Sequence, residues 1–243
     1  SNFSFLDGAS SPEDLAVEAA RLGLEAMALT DHGGFYGVVR FAEAARGVGL
    51  PTVFGVELTL DAWQPTLFDD SVAPKRGRRA KVLPPSRTGS PDPSGRHVVV
   101  LARQPAGYAA LATLVTRAQM AGEKGAPRLS TPQFLETLSQ HRDHFAVLTG
   151  GRKGSVPKAL VDSGPAAAGT ELDQLIEAGG AENIFVELWD HGDPLDSARN
   201  DAMAQLATSR HAGLLCTNGV HYATPARRKL ATALAAVRAR SSL

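Results

Sequence analysis

"EAMALTDHGGFYGVVRFAEAARGVG", residues 25–49, decides the fold. "EAMALT" is a short run of small and apolar residues that reads as a buried strand. It ends abruptly in Asp31 and His32, and two glycines follow. "YGVVRFAEAARGVG" then reads as a helix, closed by Gly47 or Gly49. Strand, polar turn and helix together make one βα unit. The Asp-His pair stands where the strand ends, as a metal site, a catalytic pair or a strand cap.

The unit repeats in both directions along the chain. Upstream, "SSPEDLAVEAARLG" is a helix with its start written out: Ser11 as N-cap, Pro12 in the first turn, Asp14 three residues after the cap. Leu15, Ala19 and Leu22 recur at helical spacing. Downstream, "PTVFGVEL", "HVVVLA", "FAVLTG", "IFVELW" and "GLLCTN" are further short apolar strands, and "GYAALATLVTRAQMAG" is a helix. Strands alternating with amphipathic helices predict parallel βα units, closed into a barrel or laid out as a doubly wound sheet.

Bulk composition excludes several functions. At 243 residues the chain is long enough for one large α/β domain. Its 25 basic residues balance 25 acidic ones, so no global field draws it to nucleic acid or membrane. Any contact with DNA must come from a local patch or from a larger protein containing this chain. The single Cys216 rules out an internal disulfide and a cysteine-rich zinc site, and it fits a reducing, cytoplasmic setting. No apolar run is long enough to span a bilayer. The start, "SNFSFLDGASSPEDL", has neither signal-peptide features nor an initiating methionine, as expected of a piece of a longer chain.

One stretch breaks the alternation. Residues 71–96, "SVAPKRGRRAKVLPPSRTGSPDPSGR", are rich in proline and serine and cluster Lys75, Arg76, Arg78, Arg79 and Lys81. So little apolar surface cannot offset the entropy of ordering, which predicts a mobile insertion loop. Its clustered cations would also suit a phosphate backbone or a partner protein.

Chemistry collects where the strands end. Asp31 and His32 follow "MALT", and Glu57 follows "VFGV". Gly150, Gly151, Arg152 and Lys153 follow "AVLT"; Glu187, Asp190 and His191 lie at "FVEL"; Asn218, Gly219 and His221 follow "LLCT". Loops at the carboxyl ends of parallel strands converge on one face. Imidazoles and carboxylates brought together there suit zinc, manganese or iron rather than calcium. Singly, each has a structural alternative: Asp31 as a turn cap, Glu57 as an arginine partner, His97 as a half-buried strand histidine. His141 and His144, in "HRDHF", read as a solvated connection.

The motifs carry a family resemblance. "FSFLDGAS", "GVELTL", "HVVVLARQPAGYAAL", "VELWDHGDPLDSARN" and "TNGVHYATPARRKL" occur in the order seen in the polymerase and histidinol phosphatase (PHP) domain. The chain resembles the PHP domain opening bacterial DNA polymerase III alpha subunits. "GFYGVVRF" and "LTGGRKGSV" look most like the error-prone branch. The resemblance spans the whole chain outside 71–96 and implies a single domain, a distorted seven-stranded (βα) TIM-like barrel with metal ligands at its strand ends. By motif position those ligands are Asp7, His32, Glu57, His97 and His221, with His191 a further motif position.

The departures are as informative. The family's H-x-H pair, which precedes the position of Ser1, is absent. Gly151 stands where the family often has a cysteine or histidine ligand, and Gly219 where its final D-x-H has aspartate. Glycine offers no side-chain donor, so those ligands are lost outright. A two- or three-metal centre needs bridging carboxylates to hold its ions ~3.5–4 Å apart. What the resemblance then implies is one weakly held zinc, manganese or iron through His32, Glu57 and His221, or no metal at all. The expected function is a non-catalytic, scaffolding N-terminal domain of an error-prone DNA polymerase used in repair synthesis. Its partners would be the rest of that polymerase, DNA through it, and other replication or repair proteins, with no membrane. The alternatives are an active metal-dependent phosphoesterase or 3′–5′ exonuclease, and a DNA- or partner-binding module acting through the 71–96 loop.

Overall fold

The computed structural model describes residues 1–62, 95–123 and 126–239. Among these residues, six strands form one sheet in the order β1 to β6, with helices on its faces. Helix α1 (Pro12–Arg21) opens on the capping box expected at Ser11: its hydroxyl accepts from the Asp14 N–H, and the Asp14 carboxylate accepts from the Ser11 N–H. Strand β1 (Met27–His32) leads through α2 (Val38–Gly47) to β2 (Thr52–Leu60), which runs parallel to it with His32 beside Glu57. Phe41 of α2 is fully buried with Leu15, Ala19 and Leu29 in a small core under this βαβ unit. Burying that ring contributes about 2–3 kcal/mol.

The expectation of an all-parallel arrangement fails at β3 (Arg96–Ala102). It pairs antiparallel with both β2 and β4 (Phe145–Leu148). The reversal has a direct consequence: the first residues of β3, not its last, lie at the sheet end where β1 and β2 terminate. β3 also opens one residue inside the stretch read as an insertion, with Arg96 paired to Glu171 at 2.9 Å. Between β3 and β4 lie two helices, α3 (Pro105–Ala121) and α4 (Thr131–Gln140). Helices α5 (Ser155–Ser163) and α6 (Pro165–Gly179) lead to β5 (Ile184–Leu188), and α7 (Asp196–Ser209) leads to β6 (Gly213–Cys216). These last strands return to parallel pairing. The main core packs β2 to β5 against α3 to α7, with Val100, Leu111, Leu138, Leu172 and Val186 fully buried. The chain closes on α8 (Arg228–Ala239). Six strands stand among the described residues, against the seven that the resemblance implies. No described helix is long and apolar enough to cross a membrane.

Candidate metal centre

Asp31 and His32 part company at the end of β1. Pleating turns adjacent side chains to opposite faces. Asp31 points inward, 2% exposed, and accepts from the Ser4 hydroxyl at 2.9 Å and the Gly37 N–H at 3.1 Å. It ties the amino-terminal loop to the start of α2. His32 faces the site instead. Gly33 turns the chain away with φ +63°, and its N–H donates to the Glu57 carbonyl at 2.8 Å, locking the ends of β1 and β2 together.

His32, Glu57 and His97 bring their ligand-capable atoms within 4.8 Å of one another. The His97 Nδ1 donates to Glu57 Oε1 at 2.6 Å, and His32 Nε2 lies 3.5 Å from Glu57 Oε2. The two rings meet edge to face, 5.8 Å between centroids. His97 is 2% exposed, so the half-buried reading is corrected to full burial: it is the first inward residue of a reversed strand. Two imidazoles and one carboxylate are the donor set of a zinc, manganese or iron site with open positions.

Asp7 and His221 extend the network on the other side of His32. Asp7 Oδ2 lies 3.2 Å from both His32 Nε2 and His221 Nδ1, while its Oδ1 takes a guanidinium N–H from Arg238 of α8. Burial alone would raise the Asp7 carboxyl; hydrogen bonds from His221 and His32, and their charges, outweigh it and hold Asp7 far below the usual carboxylate range. His221 is raised in turn, first by its bond to Asp7. Glu57 is lowered: the His97 bond and the charges of His32 and His97 overcome its burial. With Nε2 shared between two carboxylates, the buried Nδ1 of His32 has no hydrogen-bond partner among the described residues. A metal-binding imidazole normally has its other nitrogen held by an acceptor, a support that no described residue gives His32. Of the five expected ligands, His32, Glu57 and His97 meet as one candidate trio, and Asp7 and His221 pair with each other on the other side of His32.

The other strand ends contribute differently. A cleft of about 490 Å³ opens beside the cluster, lined by His97, Arg152, Lys153, Glu187, Trp189 and Arg199 among others. Arg152 is tied to Asp196 at 2.9 Å. Lys153 is pulled below the usual lysine value, first by burial and then by the charge of Arg238. His191 stays outside the cluster, stacked on Trp189 and donating from Nε2 to the Asn218 carbonyl at 2.7 Å. Gly151 and Gly219 abut the Trp189 ring. The basic cluster of Lys75, Arg76, Arg78, Arg79 and Lys81 lies outside the described residues. The sequence assigns no role to Arg238, or to Trp189 within "VELWDHGDPLDSARN".

Glu187 gives a pH-dependent prediction. Its carboxyl is 8% exposed and accepts from the Trp189 Nε1–H at 3.0 Å and from the Thr217 hydroxyl, leaving Oε2 without a partner among the described residues. Burial raises its pKa, and the charge of Glu57 adds to the rise. A folded value above the unfolded one gives stability that is full below the unfolded pKa and lost as pH rises through the folded pKa. Glu187→Gln should therefore stabilise the protein by about 1 kcal/mol at pH 7 and by nothing at pH 4. Urea midpoints at the two pH values check this; equal effects at both would refute it.

The sequence model of the PHP domain family matches residues 1–191. Error-prone DNA polymerase from Mycolicibacterium paratuberculosis is 47% identical over the whole chain, which spans 20% of that relative's length. The Mycobacterium tuberculosis error-prone DNA polymerase is 46% identical over the same share of both. DNA polymerase III subunit alpha of Treponema pallidum is 32% identical over 92% of this chain and 17% of its own length. Among solved structures, a candidate metal-dependent phosphoesterase from Bifidobacterium adolescentis aligns with TM-score 0.54 at 14% identity, covering 90% of this chain and 85% of that one, a likeness of fold. The chain spans about a fifth of the length of the error-prone polymerases it matches, and it belongs to the PHP domain family.

Proposed function

We propose that this chain is the amino-terminal PHP domain of an error-prone DNA polymerase and serves there as a scaffold. Its strand-end site would hold at most one divalent cation. The polymerase relatives, five times its length, support the first part. Arg238 carries the second: its guanidinium sits on Asp7 and supplies, from within the chain, positive charge that a bridging carboxylate would otherwise take from a metal. His32, Glu57 and His97 would hold the single cation, which supplies Lewis-acid and water-activating chemistry when bound. Around it, His221 and His32 hold Asp7 ionised, and Arg152 directs its charge to Asp196 rather than to an incoming phosphate. The cytoplasm is the setting that this role requires, with the rest of the polymerase, DNA and other repair proteins as partners.

The second reading, a metal-dependent phosphoesterase or 3′–5′ exonuclease, is favoured by the His32–Glu57–His97 trio beside an open cleft. One assay separates the two. In the full-length protein supplied with zinc, manganese or iron, nucleotide release from 3′-labelled DNA is expected at the same background level in wild type and His32→Ala. Metal-dependent release that disappears in His32→Ala would overturn the scaffold reading and establish the alternative.

A further inference from the structure

The loops after β4, β5 and β6 meet on one side chain, the indole of Trp189. A Cβ placed on Gly151 would stand 2.0 Å from the ring's Cη2 and 2.1 Å from Cζ2. A Cβ on Gly219, approaching from another loop, would stand 2.8 Å from Cζ2. The ring cannot simply step aside. Its Nε1–H donates to Glu187 at 3.0 Å, and His191 stacks on it at 5.3 Å. The Asn200 amide also holds the Trp189 carbonyl at 2.8 Å. The carboxyl-end face of the sheet is therefore divided. Donors occupy the end of β1, Glu57 beside it on β2 and the start of β3, while an aromatic ring between two glycines occupies the ends of β4 to β6.

We propose that Trp189 fills the volume from which a second set of ligands would act, making this site strictly single-cation. The inference rests on the reading of the neighbouring cluster as a metal site. An indole offers one N–H donor and no lone pair to a cation, and its N–H is already spent on Glu187. Backbone conformation does not by itself forbid a donor at 219. The residue there has φ +50°, a region that aspartate visits more readily than most. What stands in its way is the ring, and the same ring stands in the way of a side chain at 151. The two glycines and the tryptophan thus form one packing unit, and changing either glycine alone is self-defeating.

The test titrates the full-length protein with Co²⁺ alone, reading its absorbance bands as equivalents bound to the cluster. Wild type should take one equivalent, and Gly151→His with Gly219→Asp should gain no second. Adding Trp189→Ala to that pair should admit it. A second equivalent without the tryptophan change, or none with it, would overturn the proposal. Hydrogen exchange in the same protein gives a readout independent of metal. Gly151→Ala should raise exchange across residues 184–191 about tenfold, the cost of overpacking, and should add nothing in a Trp189→Ala background. Independent, additive effects of the two changes would refute the shared packing. Wild type that binds no cobalt would defeat the metal-site reading itself, while the exchange coupling would still decide whether Trp189 blocks the two glycine positions.

Discussion

Asp31→Ala is expected to destabilise the domain by about 3 kcal/mol, the largest stability effect of any single polar change considered. The carboxylate is 2% exposed and gathers the Ser4 hydroxyl, the Ser1 hydroxyl at 2.9 Å and the Gly37 N–H at 3.1 Å. Removing it strands several buried donors, each of which has lost its water on folding. The loss would not spread evenly. The amino-terminal loop carries Asp7, and the Ser4 hydroxyl also accepts from the His32 N–H at 3.1 Å. Freeing that loop releases Asp7 from the site and takes the Ser4 acceptor from the His32 N–H. Asp31→Asn keeps the acceptor oxygen and should cost about half as much. Hydrogen exchange of the segment 27–41 measures the effect; a change below about 0.5 kcal/mol would show that Asp31 does not tie the amino-terminal loop to α2.

Asp31 also shows how far the sequence could be read. All six strands are legible as apolar runs bounded by turn residues, and α1 is written out in Ser11, Pro12 and Asp14. At "TDH" only pleating separates the two side chains: His32 turns to the candidate site and Asp31 to the structure behind it. The direction of β3 is not legible, because an apolar run reads the same in both senses. Yet that direction puts His97 at the site by its first residues. Helix α4 has its own capping box in Ser130 and Gln133, as clear as that of Ser11, but an alternation of one strand with one helix leaves no place for it. Arg238 and Trp189 are illegible for another reason. Their roles exist only through contact with Asp7, Gly151 and Gly219, all on distant parts of the chain. A glycine in a sequence marks a missing side chain without saying what has filled the space.

Glu57 is the residue on which the site's remaining capacity depends. It is the one carboxylate shared by both imidazoles of the trio, bonded to His97 at 2.6 Å and lying 3.5 Å from His32. Asp7 cannot replace it, because Arg238 and His221 already engage it. Glu57→Gln should lower affinity for Zn²⁺ or Co²⁺ by more than about 100-fold, since a neutral amide removes both the charge and the strongest oxygen donor. His221→Gln, by contrast, should lower it by about tenfold or less, because His221 acts on Asp7 rather than within the trio. The order of the two effects is the discriminating result. Glu57→Ala has a further cost: His97, 2% exposed, loses its acceptor, and about 2 kcal/mol of stability should go with it even in metal-free protein. The pH dependence follows from the depressed Glu57 pKa. Its contribution is present above the unfolded carboxylate value and is lost as pH falls through the lower folded one. Calorimetric titration of wild type and both variants at pH 7 checks the ranking. If His221→Gln proved the more damaging, the cation would lie on the Asp7 side of His32, and the cluster would have to be redrawn around that aspartate.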